Sequence, residues 1–340
     1  MRAVFAIPGD IATPTGGYGY ARRLVRGAPA AGLDLEVLSL PSGFPDPDIA
    51  DLVTTRAALS EVPSDTPLLI DGLAYGALPA DIIATIRAPI VALCHHPLAL
   101  ETGVSAEDAK RLHRTETDAL AAAKAVVVTS HATSDIVTSD YGVSAQRLTV
   151  APPGTDPAPR APGTTGCRIV SVGSVTPRKG HDRLVNALTR CADQEWTLRI
   201  IGPHPDPSCL ADLQVKIGEA GLGDRIKLTG PQSMPAVTAA YQAADLFVLA
   251  SEYEGFGMAF AEAMANGLPV LGLHCDAVAE ATLGAAELVT PDQFDETLAR
   301  LIGDTDLRSA LADRCWDAAA NLPRWPDTVA KIASVLRRLT

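Results

Sequence analysis

Residues 251–270 read SEYEGFGMAFAEAMANGLPV and hold two glutamates eight positions apart, Glu254 and Glu262, around a Gly-Phe-Gly turn. A carboxylate is costly to bury and unremarkable on a surface, so the meaning of the pair depends on what surrounds it. Met258, Ala261, Met264, Ala265 and Leu268 repeat at helical spacing. That spacing predicts a helix opening near Phe256-Gly257 and stopped by Gly267-Leu268-Pro269. Glu254 then stands just ahead of the helix and Glu262 one to two turns inside it. Were the whole span helical, the two would lie ~12 Å apart along the axis, too far for a paired-carboxylate glycosidase site. The spacing suits the two ends of one elongated ligand. Bare amides at the helix start, with Gly255 and Gly257 allowing close approach, suit a phosphate between them. The plainer alternative is one solvated glutamate and one helix-start glutamate favoured by the dipole.

A loop of this kind needs strands and helices to carry it. Short β-rich apolar runs recur at 3–7, 35–40, 67–70, 90–94, 125–129 and 148–150, then at 167–172, 197–201, 226–229, 246–249 and 269–273. Helical patterns such as 107–123 and 234–244 lie among them. Apolar strands alternating with helices predict parallel sheets in an α/β architecture. The stretch APPGTDPAPRAPGTTG at 151–166 breaks the rhythm and reads as an interdomain linker. Each half opens with a strand, a glycine-bearing loop (PGDIATPTGGYGYARRL; VGSVTPRKGHDRLV) and a helix. Two Rossmann-like domains facing a central cleft follow, with ligand expected beyond the carboxyl ends of the strands.

Composition narrows the chemistry. The 340 residues suffice for two domains, and 47% hydrophobic content with a mean hydropathy of +0.15 excludes general disorder. The net charge of −12 is shared, with 11 Lys/Arg against 18 Asp/Glu through residue 157 and 17 against 22 after it. General attraction to nucleic acid is therefore not expected. The six cysteines are scattered without a CxxC pair, which suits free buried thiols in a reducing compartment. The opening MRAVFAIPGD is interrupted too soon for a signal peptide, and no apolar run approaches the ~20 residues needed to span a bilayer. A soluble, cytoplasmic protein is expected.

EGFGMAFAEAMANGLPV resembles the E-x7-E signature of the retaining family-4 glycosyltransferases in nearly every position. TGPQSMPAVTAAYQAADLFVLAS (229–251) and VGSVTPRKGHDRLVNAL (172–188) resemble the same family, and TGGYGYARRL and CHHP match it more loosely. The resemblance implies a GT-B fold. It has an acceptor-binding domain at 1–157, a nucleotide-sugar domain at 158–321 and a helix at 322–340 returning to the first domain. It also implies roles. Glu262 holds the donor's ribose hydroxyls, and Glu254 the transferred sugar, near the amides of Gly255, Phe256 and Gly257. Arg178 and Lys179 neutralise the departing diphosphate. The family often places Arg directly after the first glycine of that loop, where this chain has Ser174; Arg178 is expected to supply the missing guanidinium. A solvated basic pair is the alternative. Gly16 and Gly17 approach the sugar and phosphates from the other side of the cleft, a plain turn being the alternative, and the spacing is not a dinucleotide fingerprint. His95 bonds the donor sugar, while His96 stands where the family usually has an acid. His131 lies at a helix start, near the acceptor.

The implied activity is retaining transfer of a hexose from a nucleotide sugar, UDP being the commoner base, to a saccharide or a glycolipid precursor such as diacylglycerol. No metal or other cofactor is expected. Asp46-Pro47-Asp48 and Asp304-Thr305-Asp306 read as a Pro-rich loop and a helix cap rather than metal ligands. A nucleotide-sugar epimerase or a phosphorylase on the same fold, and a non-catalytic nucleotide-sugar binder, are the rival readings. The missing fingerprint disfavours a nicotinamide dehydrogenase. Two basic clusters, Arg22/Arg23/Arg26 and Lys110/Arg111/Arg114, are either solvated faces or a dock for an anionic membrane surface.

Overall fold

The computed structural model describes residues 1–164 and 166–340. The chain divides into two units, Met1–Gly154 with Pro323–Thr340, and Thr155–Leu322. Each is a Rossmann-like layer of parallel strands covered by helices, the architecture expected from the alternating runs.

The first unit carries β1 (Arg2–Pro8), β2 (Asp34–Leu40), β3 (Leu68–Asp71), β4 (Ile90–Cys94), β5 (Ala125–Val128) and β6 (Leu148–Val150), in the order β2-β1-β3-β4-β5-β6. β3 and β4 are buried along their whole length, which is why LLI (68–70) and IVALC are unbroken apolar runs rather than alternating ones. The sheet reverses direction between β1 and β3, a switch point where loops splay apart and leave a crevice. The terminal helix Trp325–Arg337 belongs to this unit. Its Trp325 ring meets Tyr20 edge-on at 5.6 Å, and Thr328 donates to the Pro152 carbonyl at 2.6 Å. Gly27 has no room for a side chain against it: a Cβ there would lie 2.8 Å from Val329 Cγ2.

The second unit carries β7 (Arg168–Val172), β8 (Thr197–Ile201), β9 (Ile226–Leu228), β10 (Leu246–Leu249), β11 (Val270–Leu273) and β12 (Glu287–Val289), in the order β12-β11-β10-β7-β8-β9. Its switch point lies between β7 and β10, which pair directly. β12 has no counterpart among the expected strands, because ELV opens on a charged residue, is only half-buried over its first two positions and offers just two apolar residues.

The division between the units falls inside the stretch expected to link them. The division falls between Gly154 and Thr155, and the residues after it are fastened to the second unit. The Ala161 amide donates to Asn266 O at 2.7 Å, Gln242 Nε2 donates to Pro159 O at 2.5 Å, and Thr164 N donates to Asp245 Oδ1 at 2.6 Å. A proline-rich segment lacks ladder partners, so its remaining backbone groups are met by neighbouring backbone and side chains.

Candidate active site

The loops after β7 and β10 meet at the second unit's switch point. Glu254, which follows β10, is 7% exposed, and its carboxylate is held by three donors. Lys179 Nζ donates to Oε1 at 2.5 Å, Ser251 Oγ donates to the same oxygen at 2.6 Å, and Arg178 Nη1 lies 3.5 Å from Oε2. Arg178 also donates to the Tyr253 carbonyl at 2.8 Å, and the Glu252 amide donates back to Arg178 O at 2.9 Å. Burial alone would raise the Glu254 carboxyl. The charges of Lys179 and Arg178, with the hydrogen bonds from Lys179 and Ser251, outweigh burial and hold it below the usual carboxylate range. Glu254 is therefore ionised inside the protein. The resemblance implies sugar for Glu254 and diphosphate for the cations; the structure adds that both cations pair with Glu254.

Glycines make this approach feasible. Gly180 is left-handed at φ 63°, and a Cβ on it would lie 2.1 Å from the Ala250 carbonyl oxygen, so the β7 loop touches the end of β10 only because position 180 has no side chain. Behind Lys179, burial first and the lysine charge second push the His181 imidazole down to about 4, leaving it neutral beside the cations. Gly257, at φ 103°, begins the helix Met258–Ala265, which has no side-chain cap and no acid in its first turn. Elsewhere Asp48, Ser105, Ser130, Asp206, Ser233 and Asp304 cap helices. An uncapped helix start next to two cations is a place for an anion. Phe256 is buried in the core and lends only its backbone to this turn.

Glu262, inside that helix, accepts from the Tyr241 hydroxyl at 3.2 Å. Tyr241 comes from the helix Met234–Gln242 and is fully buried, so it fixes one carboxylate oxygen of a half-buried glutamate. Tyr241→Phe is expected to raise the Kd for a nucleotide donor roughly 3–10-fold, about the worth of one ordinary hydrogen bond, with kcat little changed. Calorimetric titration checks this.

In the first unit, His95 follows β4. Its Nε2 lies 3.3 Å from Asp71 Oδ2 at the end of β3, Thr129 Oγ1 donates to its carbonyl at 2.9 Å, and the Tyr20 ring meets it edge-on at 5.2 Å. Gly17 lies beside the same ring, since a Cβ there would come within 3.8 Å of His95 Nε2. At Gly16 a Cβ would meet nothing within 4 Å, so open space rather than crowding surrounds it. His96 pairs with Glu101 at 3.0 Å, and His131 opens the helix His131–Ser139 behind the Ser130 cap. The basic clusters are partly engaged. Arg22 donates to Ile11 O and Thr13 O at 2.6 and 2.8 Å, Arg23 lies over the Trp325 ring, and Arg111 pairs with Asp46 and Asp108. Lys110 and Arg114 are exposed.

The sequence reading missed Ser251, Tyr241, Asp71 and Thr129. Tyr241 and Ser251 lie inside the quoted run 229–251, where a lone tyrosine in an alanine-rich helix ahead of a buried strand was the available signal. Asp71 closes LLID, an acid at a strand end. Among the described residues no group of three His, Cys, Asp or Glu side chains is placed to hold a metal ion, and no helix is long and apolar enough to cross a membrane.

Comparison with known proteins places the chain in a family. Residues 156–314 match the glycosyl transferases group 1 model and residues 15–159 the Glycosyltransferase Family 4 model. The chain is similar to the MMP alpha-(1->4)-mannosyltransferase of Mycolicibacterium hassiacum, 28% identical over 89% of this chain and 80% of that protein. It also resembles the mannosylfructose-phosphate synthase of Agrobacterium fabrum (29%, 44% of this chain, 37% of that protein). A third relative is the D-inositol 3-phosphate glycosyltransferase of Corynebacterium efficiens (27%, 59% and 53%). Among solved structures, sucrose-phosphate synthase from Thermosynechococcus elongatus superposes with a TM-score of 0.81 at 21% identity over 99% of both chains. Anabaena Alr3699/HepE with UDP and glucose gives 0.77 at 17% over 99% and 100%. At such identity the structural likeness is one of fold, GT-B. The two family matches run together from residue 15 to residue 314, and the chain belongs to the family-4 glycosyltransferases.

Proposed function

We propose that this glycosyltransferase moves a hexosyl group, with retention, from a nucleoside-diphosphate sugar to a hydroxyl of a small saccharide or polyol, without a resident metal. The observation that carries this reading is the convergence of Lys179 and Arg178 on Glu254 at the switch point beside an uncapped helix start. Two cations and a helix dipole supply the charge that a departing diphosphate needs. In this reading the second unit binds the donor. Glu262 takes the ribose hydroxyls, the Gly255-Phe256-Gly257 turn the phosphates, and Glu254 the sugar. Gly16, Gly17 and His95 of the first unit contribute to the sugar and the acceptor.

The acceptor hydroxyl attacks C1, the C1–O bond to diphosphate breaks, and the hydroxyl proton passes to the leaving phosphate oxygen. Glu254 already accepts from three donors, which favours this same-face attack over a covalent glycosyl-glutamate. Metal-free transfer is supported by where the Asp-x-Asp pairs go: Asp48 and Asp304 each cap a helix, and Asp46 pairs with Arg111. UDP is favoured by the resemblance and by the Anabaena neighbour's ligand. A small polar acceptor is favoured by relatives named for mannosylfructose phosphate and inositol 3-phosphate.

The test incubates the enzyme with nucleotide sugars and a sugar–polyol panel in EDTA, following diphosphate release and the product anomer by NMR. Acceptor-dependent release with an unchanged anomer supports the proposal. An inverted anomer overturns retention, and loss of rate in EDTA overturns metal independence. A new sugar isomer without acceptor establishes an epimerase. Transfer only to a lipid extract, read by mass spectrometry, moves the acceptor to the lipid class and makes Lys110 and Arg114 the membrane-facing cations to mutate.

A further inference from the structure

Glu116, on the helix Ala106–Ala122, is 1% exposed. Among the described residues it and Glu254 are the two buried glutamates. A buried carboxyl is costly unless its oxygens are used, and these are used on both flanks of His95. Oε2 accepts from the Leu98 amide at 2.9 Å, three residues after the histidine; Oε1 faces Cys94 Sγ at 3.9 Å, one residue before it. Space is kept for this arrangement by Gly76, where a Cβ would come within 3.1 Å of Glu116 Oε1 and 3.0 Å of Leu98 Cδ1. The segment 94–98 leaves β4 through His95, His96, Pro97 and Leu98, three amides and one proline in four steps, and among the described residues has no strand partner beyond Cys94.

We propose that Glu116 is the positioning residue for His95, clamping the strand exit on both sides so that the imidazole stays against Asp71 and Gly17. The inference rests on the reading of His95 as a group that bonds the transferred sugar. Thr129 and Tyr20 fix the carbonyl and the ring face of His95, but neither fixes the path of the chain through 96–98; Glu116 does. Burial pushes its carboxyl up to about 8, against the Leu98 amide, Tyr141 and Cys94, so near neutral pH it keeps its proton. Glutamine reproduces that neutral state in shape and in acceptor capacity, whereas leucine fills the space and accepts nothing.

The test compares Glu116→Leu, Glu116→Gln, His95→Ala and the double variant Glu116→Leu/His95→Ala in full-length enzyme with donor and acceptor. Glu116→Leu is expected to lower kcat about tenfold or more with donor KM within about twofold, and Glu116→Gln to restore most of the loss. The double variant should be no slower than His95→Ala alone, because a residue acting through another adds nothing once that other is gone. Multiplying losses overturn the clamp, as does an unaltered kcat in Glu116→Leu beside an inactive His95→Ala. Full activity of His95→Ala overturns the reading of His95 itself, and the clamp with it. If the leucine variant does not fold, Glu116→Asp keeps the acid but withdraws it by one methylene from the Leu98 amide, and the same comparison decides.

Discussion

Lys179→Ala should lower kcat by about 10²–10³-fold, some 3–4 kcal/mol of transition-state stabilisation, while the chain stays folded. The lysine is 15% exposed at its side chain and its Nζ is directed by Glu254, so it is a charge already in place when donor arrives. A pre-placed charge costs no reorganisation as the C1–O bond breaks, and this is why its loss should fall on kcat more than on donor KM. Arg178 remains in the variant and keeps some diphosphate affinity. Lys179→Arg should rescue poorly, because the planar fork does not reproduce a point charge 2.5 Å from one oxygen. Steady-state kinetics with diphosphate release decide it: wild-type kcat in Lys179→Ala would remove the lysine from the mechanism.

The second large effect is expected at Glu254. Glu254→Ala leaves two partly buried cations facing each other, and breaking one side of such a group costs about 3–5 kcal/mol. The melting transition of the second unit should drop on the order of 10 °C, and turnover should fall below a hundredth. Glu254→Gln separates charge from shape. Its amide oxygen still accepts from Ser251 and Lys179, but the cations are no longer neutralised. Free nucleoside diphosphate should therefore bind several-fold tighter while transfer slows, affinity and rate moving in opposite directions. The pH dependence follows from the same contacts. The folded carboxyl titrates below its unfolded value, so its contribution to stability is present above the unfolded value and is lost as pH falls through the folded one. The melting temperature of Glu254→Gln should thus fall less than that of the wild type as pH is lowered below the usual carboxylate range. Equal slopes would show that the carboxylate is not held by the cations.

Much of this was legible before any coordinates. Parallel strands buried on both faces leave unbroken apolar runs, so LLI, IVALC and LFVL are legible as strands, whereas ELV, opened by a charge, is not. The motif loops were legible because Arg178, Lys179, Glu254 and Glu262 sit in contiguous strings whose glycines and small residues are as telling as their charges. What stayed hidden was pairing across the fold. Lys179 and Glu254 are 75 positions apart, and only the β7–β10 pairing puts them in contact. Asp71 and His95, and Glu116 and Leu98, meet for the same reason, through strand order and helix packing that no local pattern encodes. The proline-rich stretch holds the division between the two units, as its composition suggests, but composition speaks of missing ladder bonds and not of where the carbonyls and amides find replacements.

Gly180 marks a seam at which the two loops of the donor-side unit are fused by contact. Any replacement there, even alanine, drives a carbon into the Ala250 carbonyl and pries lysine and glutamate apart in one step. A side chain at position 180 is therefore expected to cost activity even where every charged residue is kept, and kinetics of Gly180→Ala would read it.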